Sequence, residues 1–587
     1  MSSTFMGLET SKRGLNTQQS ALYTTGHNIS NANTLGYSRQ RVNMEPTMGF
    51  PGVGMNAPKI PGFLGTGVQA GSVQRIRDQF IDNQYRQETT KLGYWSSKAD
   101  SISQMEDILS EPSEYGLNAA YNSFYSSLQD LSTNPGNASA RAVVVQRGKQ
   151  LADSFNYINK QLTQIQSNLK NEINVETNNV NSILKQIASL NEQIGNIEPN
   201  GYLPNDLYDA RDQLVDQLSE YFNVAVDYTK SGGNSLAIAE GSMNVYIKLN
   251  DGTKVQVINK NQAATITANG YNKTTDASGN VSYANGAFNA SEDFSPFTYF
   301  GVNFGGTSTN ISHEQLDMGS GKMISLVHAY GYADDSIATK STTTTTGADG
   351  KPVTTTTYTW PNVAPGTGTP AADGLYIDKL EQLDKLAQQF AETFNAIHTQ
   401  GFTLANGATA SAAGLNFFVD NNGDGTAGSN SISAANIKVN DKIVNDLNLI
   451  AASSRQGEEG NGDMAILLSN IKSLSLDGTT KNLELADGSK ITAKVGNLDG
   501  ASAQTYYQGL IGQLGTDGQQ ANKMVSNSTT IQLSISNNRA SVSSVSLDEE
   551  MTDMIKFQKA YNASARMITV VDETLDKIIN GMGKVGL

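Results

Sequence analysis

The chain has 587 residues, with 41 lysines and arginines against 56 aspartates and glutamates, a formal net charge of −15. That length suggests about four domains, and so acidic a surface repels phosphate backbones, which argues against a general nucleic-acid binder. Cysteine is absent, so disulfide staples, thiol nucleophiles, iron–sulfur clusters and cysteine-ligated zinc are excluded.

The N-terminus, Met1-Ser-Ser-Thr-Phe-Met-Gly-Leu-Glu-Thr, has neither a basic n-region nor an apolar h-region. No run of 18 apolar residues occurs, so no membrane-spanning helix and no membrane partner are expected. The expectation is a cytoplasmic protein, or one exported without a cleaved signal. Leu8, Leu15, Leu22 and Ile29 then recur every seven residues, with Phe5 one turn ahead of Leu8. Such a stripe marks a helix that packs along another as a coiled coil.

A second helical zone carries Phe155, Leu162, Leu169, Ile183, Leu190 and Ile197 on one seven-residue row. Neither Pro nor Gly interrupts Leu151 to Ile194, which predicts one helix of ~45 residues, about 65–70 Å long. Glu198-Pro199-Asn200-Gly201 stops it, and a shorter helix returns over 207–222. After Asn223 the text becomes Gly, Asn, Thr and Tyr, with alternating segments at Asn244-Val-Tyr-Ile-Lys-Leu and Lys254-Val-Gln-Val-Ile. This reads as a β-rich insert running to about residue 330. Thr342 to Thr346 and Thr354 to Thr357 flank Gly347-Ala-Asp-Gly350 and favour a protruding hairpin over a flexible loop. Helix returns over 375–398, mixed text follows to Gly500, and helix dominates from Ala501. There Leu547, Met554, Tyr561, Ile568, Leu575 and Met582 repeat the seven-residue period. Both terminal stripes are narrow, so each helix is marginal until it meets a partner. A partner in another subunit and a partner within the same chain fit equally well.

Motifs with catalytic or ligand-binding overtones fail on their context. Gly65-Thr-Gly67-Val-Gln-Ala70 matches a relaxed dinucleotide fingerprint, but Pro51 to Gly62 ahead of it reads as loop. Gly319-Ser-Gly321-Lys322 lacks the spaced Gly and the hydroxyl of a phosphate loop. His313-Glu314-Gln-Leu-Asp317 has lost the second imidazole of a zinc-peptidase helix. Asp420-Asn-Asn-Gly-Asp424-Gly425 starts like a calcium loop but has Ser431 at the bidentate position, so an Asx-rich turn is preferred. His398 reads as a hydrogen-bonded packing residue. No catalytic set, cofactor site or metal site is expected.

The segment Gly26-His-Asn28-Ile-Ser-Asn31-Ala-Asn33-Thr-Leu35-Gly36-Tyr37-Ser38-Arg39-Gln40 closely resembles the N-terminal signature of bacterial flagellar axial proteins. Its Gly-Tyr-Ser-Arg-Gln ending is similar to the hook-associated protein 1 branch of that family, although many members have Pro where Leu35 stands. Val73-Gln-Arg75, Asp78, Phe80-Ile81, Asn83-Gln84 and Arg86 look like the family's next block. Asn205-Asp-Leu, Arg211-Asp-Gln-Leu-Val-Asp-Gln-Leu-Ser219 and Asn244-Val-Tyr resemble the end of its long-helix domain and the start of its insert. Phe394-Asn395-Ala-Ile-His398 with Gly401 resembles an internal family motif. Ser546-Leu547-Asp548-Glu549-Glu550, Phe557-Gln558-Lys-Ala560-Tyr561 and Ala563-Ser564-Ala565-Arg566 are similar to its C-terminal signature.

The resemblance implies a non-enzymatic structural subunit at the hook–filament junction, exported unfolded through the flagellar type III channel and extracellular once assembled. Implied partners are the flagellar hook protein, hook-associated protein 3, further copies of the chain in a ring, and an export chaperone at the C-terminal region. It also implies terminal segments that are disordered in the free subunit and helical once assembled. Another axial subunit (hook, rod or filament) is the nearest alternative, and an adhesin or hydrolase on flagellar-like ends a remoter one. The expected fold is α+β and multidomain, with terminal coiled-coil-like helices and a long helical bundle bearing inserted β-rich domains. Residues 1–66 with 541–587 would form the terminal assembly domain, and 67–225 with 373–540 the long-helix domain. Residues 226–330 would form the β-rich insert and 331–372 the Thr-rich projection. Leu8, Leu15, Leu22, Ile29, Leu547, Met554, Tyr561, Ile568 and Leu575 are the candidate assembly residues.

Overall fold

The structure, a computed structural model, describes residues 4–50, 65–109, 116–275, 281–288, 294–316, 319–334, 336, 338–346, 352–362, 371–404, 412–421 and 432–581. The Gly347–Gly350 turn, most of the Asp420–Gly425 loop and Met582 lie outside these residues.

Helix α1 (Thr4–Ser30) leads into an antiparallel hairpin of β1 (Gln40–Pro46) and β2 (Val68–Arg75). Helices α2 (Gln79–Leu109) and α3 (Leu117–Thr133) precede α4 (Ala138–Ile197), which has 60 residues and spans about 90 Å. The sequence reading started α4 at Leu151, and the structure corrects it to Ala138. The Asn137 side chain accepts from the backbone N–H groups of Ser139 and Ala140 and caps the longer helix. Gly148 lies inside the helix without breaking it, and a Cβ there would meet the Phe417 ring at 2.9 Å, so the close packing of that ring calls for a glycine. A 3-10 turn at Glu198–Asn200 ends the helix, and α5 (Asn205–Tyr221) doubles back against it and against α2.

The insert holds two sheets. Strands β3 (Val224–Thr229), β4 (Ser242–Lys248), β5 (Lys254–Asn259) and β6 (Gln262–Ala263) form an antiparallel sheet in sequence order. Strands β7 (Thr265–Thr275), β8 (Val281–Ala287), β9 (Phe297–Phe304) and β10 (Thr307–Ser312) form most of the second. After α6 (Lys322–Tyr330), β11 (Tyr332–Ala333) joins that sheet beside β9. The Thr-rich segments form the antiparallel hairpin β12 (Thr339–Thr346) and β13 (Pro352–Thr359). The chain returns through β14 (Ala372–Asp373), which pairs with β11.

Helix α7 (Leu375–His398) then runs back into the body. The rest of the return is mostly helical, with α8 (Asp441–Asn445), α9 (Asp463–Asn470), α10 (Ala503–Ser543) and α11 (Leu547–Gly581). Two small pairs interrupt it, β15 (Phe418–Val419) with β16 (Lys438–Val439) and β17 (Thr480–Glu484) with β18 (Lys490–Lys494). The fold is α+β and multidomain, as the sequence predicts.

One connected apolar core runs through the helical body and into the insert. At its centre Phe124, Phe390, Phe394, Phe417 and Phe418 pack with ring centroids between 5.0 and 6.1 Å. The internal Phe-Asn-x-x-His motif serves this centre. Asn395 donates to the Phe418 carbonyl and accepts from the N–H groups of Phe417 and Phe418. His398 Nε2 accepts from Ala451 N–H at 2.9 Å, which leaves Nδ1–H to donate to the Leu415 carbonyl at 2.6 Å. Burial pushes this imidazole down to about 4, so it is a neutral structural bridge, as the sequence reading preferred. Asn395→Ala would orphan two buried N–H groups and a carbonyl, each costing about 1–3 kcal/mol. The urea midpoint of the full chain is expected to fall accordingly; an unchanged midpoint would remove Asn395 from the supports of this core.

Candidate functional site: a polar joint between the chain ends and the body

Among the described residues the main apolar core begins at Tyr94 and ends at Ala521. Helix α1, the β1–β2 hairpin and helix α11 contribute nothing to it. They are fastened to the body by charge and hydrogen bonds.

Five arginines (Arg75, Arg77, Arg86, Arg211, Arg539) meet five carboxylates (Asp82, Asp209, Asp212, Asp216, Glu240) in one cluster. Arg75, at the end of β2, reaches Asp209 at 2.8 Å and Asp212 at 2.7 Å on α5. Arg77 grips Asp82 of α2 with two nitrogens, at 2.7 and 3.2 Å. Arg86 of α2 bridges Asp212 and Asp216, and Arg539 of α10 bridges Asp82 and Asp216. Arg211 pairs with Glu240 at 2.8 Å and donates to the Gly241 carbonyl. Aromatic faces line the cluster, with Arg75 5.1 Å and Arg211 5.3 Å from the Tyr208 ring.

Asp212 is its centre. Burial alone would raise this carboxyl, but the guanidinium groups of Arg75, Arg77, Arg86 and Arg211 override it and hold it well below the usual carboxylate range. Burial likewise disfavours the charged form of Arg75, Arg77 and Arg86, and the same carboxylates hold all three above their ordinary values.

A second layer ties in the N-terminal signature. Asn28 and Gln40 exchange side-chain-to-backbone hydrogen bonds at 2.8 and 3.0 Å, and the Tyr37 hydroxyl donates to Asn28. Ser38 donates its N–H and its hydroxyl to the two oxygens of Asp209. Gln40 donates to Asp206 at 2.8 Å. Arg39 spans the two chain ends: its N–H donates to the Ser543 carbonyl at the end of α10, and its guanidinium pairs with Glu550 at 2.7 Å and Glu549 at 2.9 Å. Two signatures about five hundred residues apart in sequence are thereby clamped side by side.

Above this clamp α1 and α11 run antiparallel, with Gly7 beside Val571 and Gly14 beside Ser564. Leu8, Leu15, Leu22 and Ile29 of α1 and Met554, Tyr561, Ile568 and Leu575 of α11 are half-buried, whereas Leu547 at the first turn of α11 is exposed. The fully buried positions of α1 are instead Thr17, Ala21, Thr25 and Asn28. Of these, Thr17 reaches the Val68 carbonyl on β2 and Asn28 reaches Gln40 on β1. The pair leaves apolar groups in the open: Phe5 on α1 and Met551, Ile555, Met567 and Val570 on α11.

The sequence offers Leu8, Leu15, Leu22, Ile29, Leu547, Met554, Tyr561, Ile568 and Leu575 as assembly residues and does not single out Arg77, Asp82, Asp209, Glu240 or Arg539. The available signal was the spacing of Asp209, Asp212 and Asp216 on the face of α5 that also carries buried Val215. The motifs set aside as accidental have plain local roles. Lys322 pairs with Glu172 and Glu176, and Gly321, at φ +104°, passes the Tyr221 carbonyl where a Cβ would sit 2.2 Å away. Gly65 to Ala70 leads into β2, which is followed by α2 only after Arg75, and Ser312 with Gln315 makes a capping box around His313 and Glu314. Among the described residues no three acidic or histidine side chains are placed to hold a metal ion.

Residues 8–37 match the family model for flagella basal body rod protein, and 537–581 match that for the C-terminal part of the flagellar basal body rod FlgEFG proteins. Both clamped ends therefore carry the marks of a flagellar axial protein, a structural subunit of the bacterial flagellum. Residues 102–297 match the helical domain of flagellar hook-associated protein FlgK. Flagellar hook-associated protein 1 of Bacillus subtilis is 40% identical over 590 residues, covering 100% of both chains. Its Escherichia coli counterpart is 27% identical over 581 residues, covering 97% of this chain and 98% of that one. The solved flagellar hook junction protein FlgK from Burkholderia pseudomallei shares the fold at a TM-score of 0.50 and 13% identity, over 78% of this chain and 100% of that one. The chain belongs to the flagellar hook-associated protein 1 family, as its terminal signatures indicate.

The joint's dependence on acid follows from Asp212. Its carboxyl is depressed in the folded state, so its contribution is complete above the unfolded value near 4 and is lost as pH falls below it. Asp212→Asn leaves buried guanidinium groups short of a counter-charge and should cost about 3–5 kcal/mol at pH 7. Thermal melts between pH 3 and 7 should show the variant less stable at pH 7 and less sensitive to acid than the parent. Parallel acid limbs in the two proteins would refute the assignment.

Proposed function

We propose that the chain ends act as one assembly unit, and that the subunit forms a ring joining the flagellar hook to hook-associated protein 3 below the filament. The observation that carries this reading is the Arg39 clamp, which presents α1 and α11 together with apolar side chains facing outward. An isolated two-helix pair with open apolar flanks gains stability when neighbouring copies cover them. On this reading residues 1–66 with 541–587 are the assembly domain and 67–225 with 373–540 the long-helix body. The inserts at 226–330 and 331–372 face solvent on the outside of the flagellum. The role is mechanical rather than enzymatic.

Export without a cleaved signal belongs to the same proposal, with a chaperone holding the C-terminal region beforehand. Met554, Tyr561, Ile568 and Leu575 of α11, which packs along α1, are half-buried in the folded chain, so a chaperone reading them would take the helix before the pair closes. An amphipathic helix in an apolar groove is the expected mode.

Two pairs of substitutions separate assembly from masking. Ile555→Asp with Met567→Asp changes exposed positions only, so the purified chain should melt normally while cells carrying it make hooks without filaments. Tyr561→Asp with Ile568→Asp puts charges into the seam, each costing several kcal/mol. By calorimetry this change should reduce chaperone affinity more than a hundredfold. Normal filaments in the first case would place the assembly face elsewhere, and unchanged affinity in the second would move the chaperone site.

A further inference from the structure

The Thr-rich hairpin leaves the body at β11; its return arm meets the sheet first at Trp360, stacked on Tyr299 at 5.3 Å, and rejoins it at β14. Those two strands pair over only two positions, Tyr332 with Asp373 and Ala333 with Ala372. Beside this short ladder stand three rings from three elements. His313 comes from the 3-10 turn after β10, His328 from the last turn of α6, and Tyr332 from β11 itself. The His313 and Tyr332 ring centroids are 3.8 Å apart, His328 and Tyr332 5.2 Å, and the two imidazoles 5.9 Å. A cavity of about 250 Å³ adjoins His328 and Tyr332, lined also by Tyr94, Lys98, Asp373 and Asp378 among others.

We propose that this stack is a pH-sensitive hinge, which holds the root of the Thr-rich hairpin while both imidazoles are neutral and releases it when they take up protons.

The geometry sets the direction. Protonation would place two cations within 6 Å of each other, a repulsion that the attraction of each for the Tyr332 ring opposes only in part. Lys98 of α2 adds a third positive charge near His328. Asp373 of β14 acts on both imidazoles and Asp334 on His313, and each opposes the effect, but burial outweighs them. Asp378 of α7 also faces the cavity, its carboxyl raised by burial and by Asp373, so it takes up a proton more readily in the closed root and offsets part of the release. Glu314 pairs with Lys340 of the hairpin at 3.5 Å, outside the stack.

Both imidazoles are pushed down to about 4, by burial first and, for His328, by His313 next. A histidine lowered in the closed state binds more proton when the root opens. The closed root is therefore fully stable above about pH 6.5 and loosens as pH falls from there toward 4. At pH 5 each released imidazole should raise the opening equilibrium about thirtyfold. This window lies above the one in which the Asp212 cluster fails, so the hinge opens first.

Hydrogen exchange on the full chain at pH 7 and pH 5, corrected for intrinsic rates, provides the test. Peptides from 339–346 and 352–359 should lose protection at least about thirtyfold at pH 5, while those within 138–197 keep theirs. His313→Gln with His328→Gln should abolish the difference between the two pH values. Equal protection of the parent's hairpin at both values would overturn the proposal, and so would a double variant with the parent's pH response. If the double variant has already opened at pH 7, titration of the ring protons in the parent decides. His313 and His328 should titrate well below 6.5 in step with hairpin release, and ordinary midpoints for both would sink the hinge.

Discussion

Asp212 is a buried carboxylate that pairs with Arg75 and Arg86 and feels Arg77 and Arg211. Those partners come from the end of the N-terminal hairpin, from α2 and from α5 itself, and Arg539 of α10 joins through Asp82 and Asp216. Taking such charges out of water costs several kcal/mol per ion, and mutual attraction with satisfied hydrogen bonds roughly offsets it. The cluster therefore adds little net stability over an apolar plug of equal volume. Its contribution is directional: a guanidinium that must meet two carboxylates fixes the angle between the elements that carry them. An apolar contact would tolerate sliding; this one does not.

That difference divides the molecule. Between Tyr94 and Ala521 the apolar core supplies non-directional burial around the aromatic centre and the long α4 helix, and α5 on that stretch carries the body's side of the joint through Asp209, Asp212 and Asp216. Outside that span α2 and α10 continue as an antiparallel pair, with Gln532 reaching Thr89 and Arg539 reaching Asp82. Their far ends meet the cluster, and beyond it, among the described residues, lie α1, the hairpin and α11. The terminal pair and its hairpin meet the body through Arg39, Ser38, Gln40, Val73 and the Asp212 cluster. A subunit that joins two dissimilar structures needs a fixed angle at that place more than it needs extra stability.

Much of this was legible in the sequence, and the part that was not has a physical reason. The heptads of α1 and α11, the 375–398 helix and the alternation of β4 and β5 are local periodicities, so they can be read directly. The start of α4 was misplaced because Gly148 looks like a breaker, and only Phe417, far away in sequence, shows why it is there. The ion cluster was hidden for the same reason on a larger scale. Arg77, Asp209, Glu240 and Arg539 each resemble a solvated surface charge until the fold brings them together. Resemblance to the axial family did mark Arg75, Arg86, Arg211 and Asp212, yet it could not say that they touch. The N-terminal signature was equally opaque: Asn28, Ser38 and Gln40 are buried and, with Arg39, bond to groups that only the fold brings near.

The separation in sequence also orders the events of folding. Arg39 and Glu550 are joined across 511 positions, and closing so long a loop in a random chain is entropically unfavourable. Once the aromatic core has formed, α2 and α10 already lie side by side and the loop that remains to be closed is short. Burial thus has to precede the polar joint, because desolvating the cluster before its partners are in place would leave unpaired charges in a low-dielectric setting. Both costs favour a folding order in which the two ends of the chain meet after the core has formed. On the role proposed for the chain ends, an α1–α11 pair that closes after the core would be presented to neighbouring copies only by folded subunits.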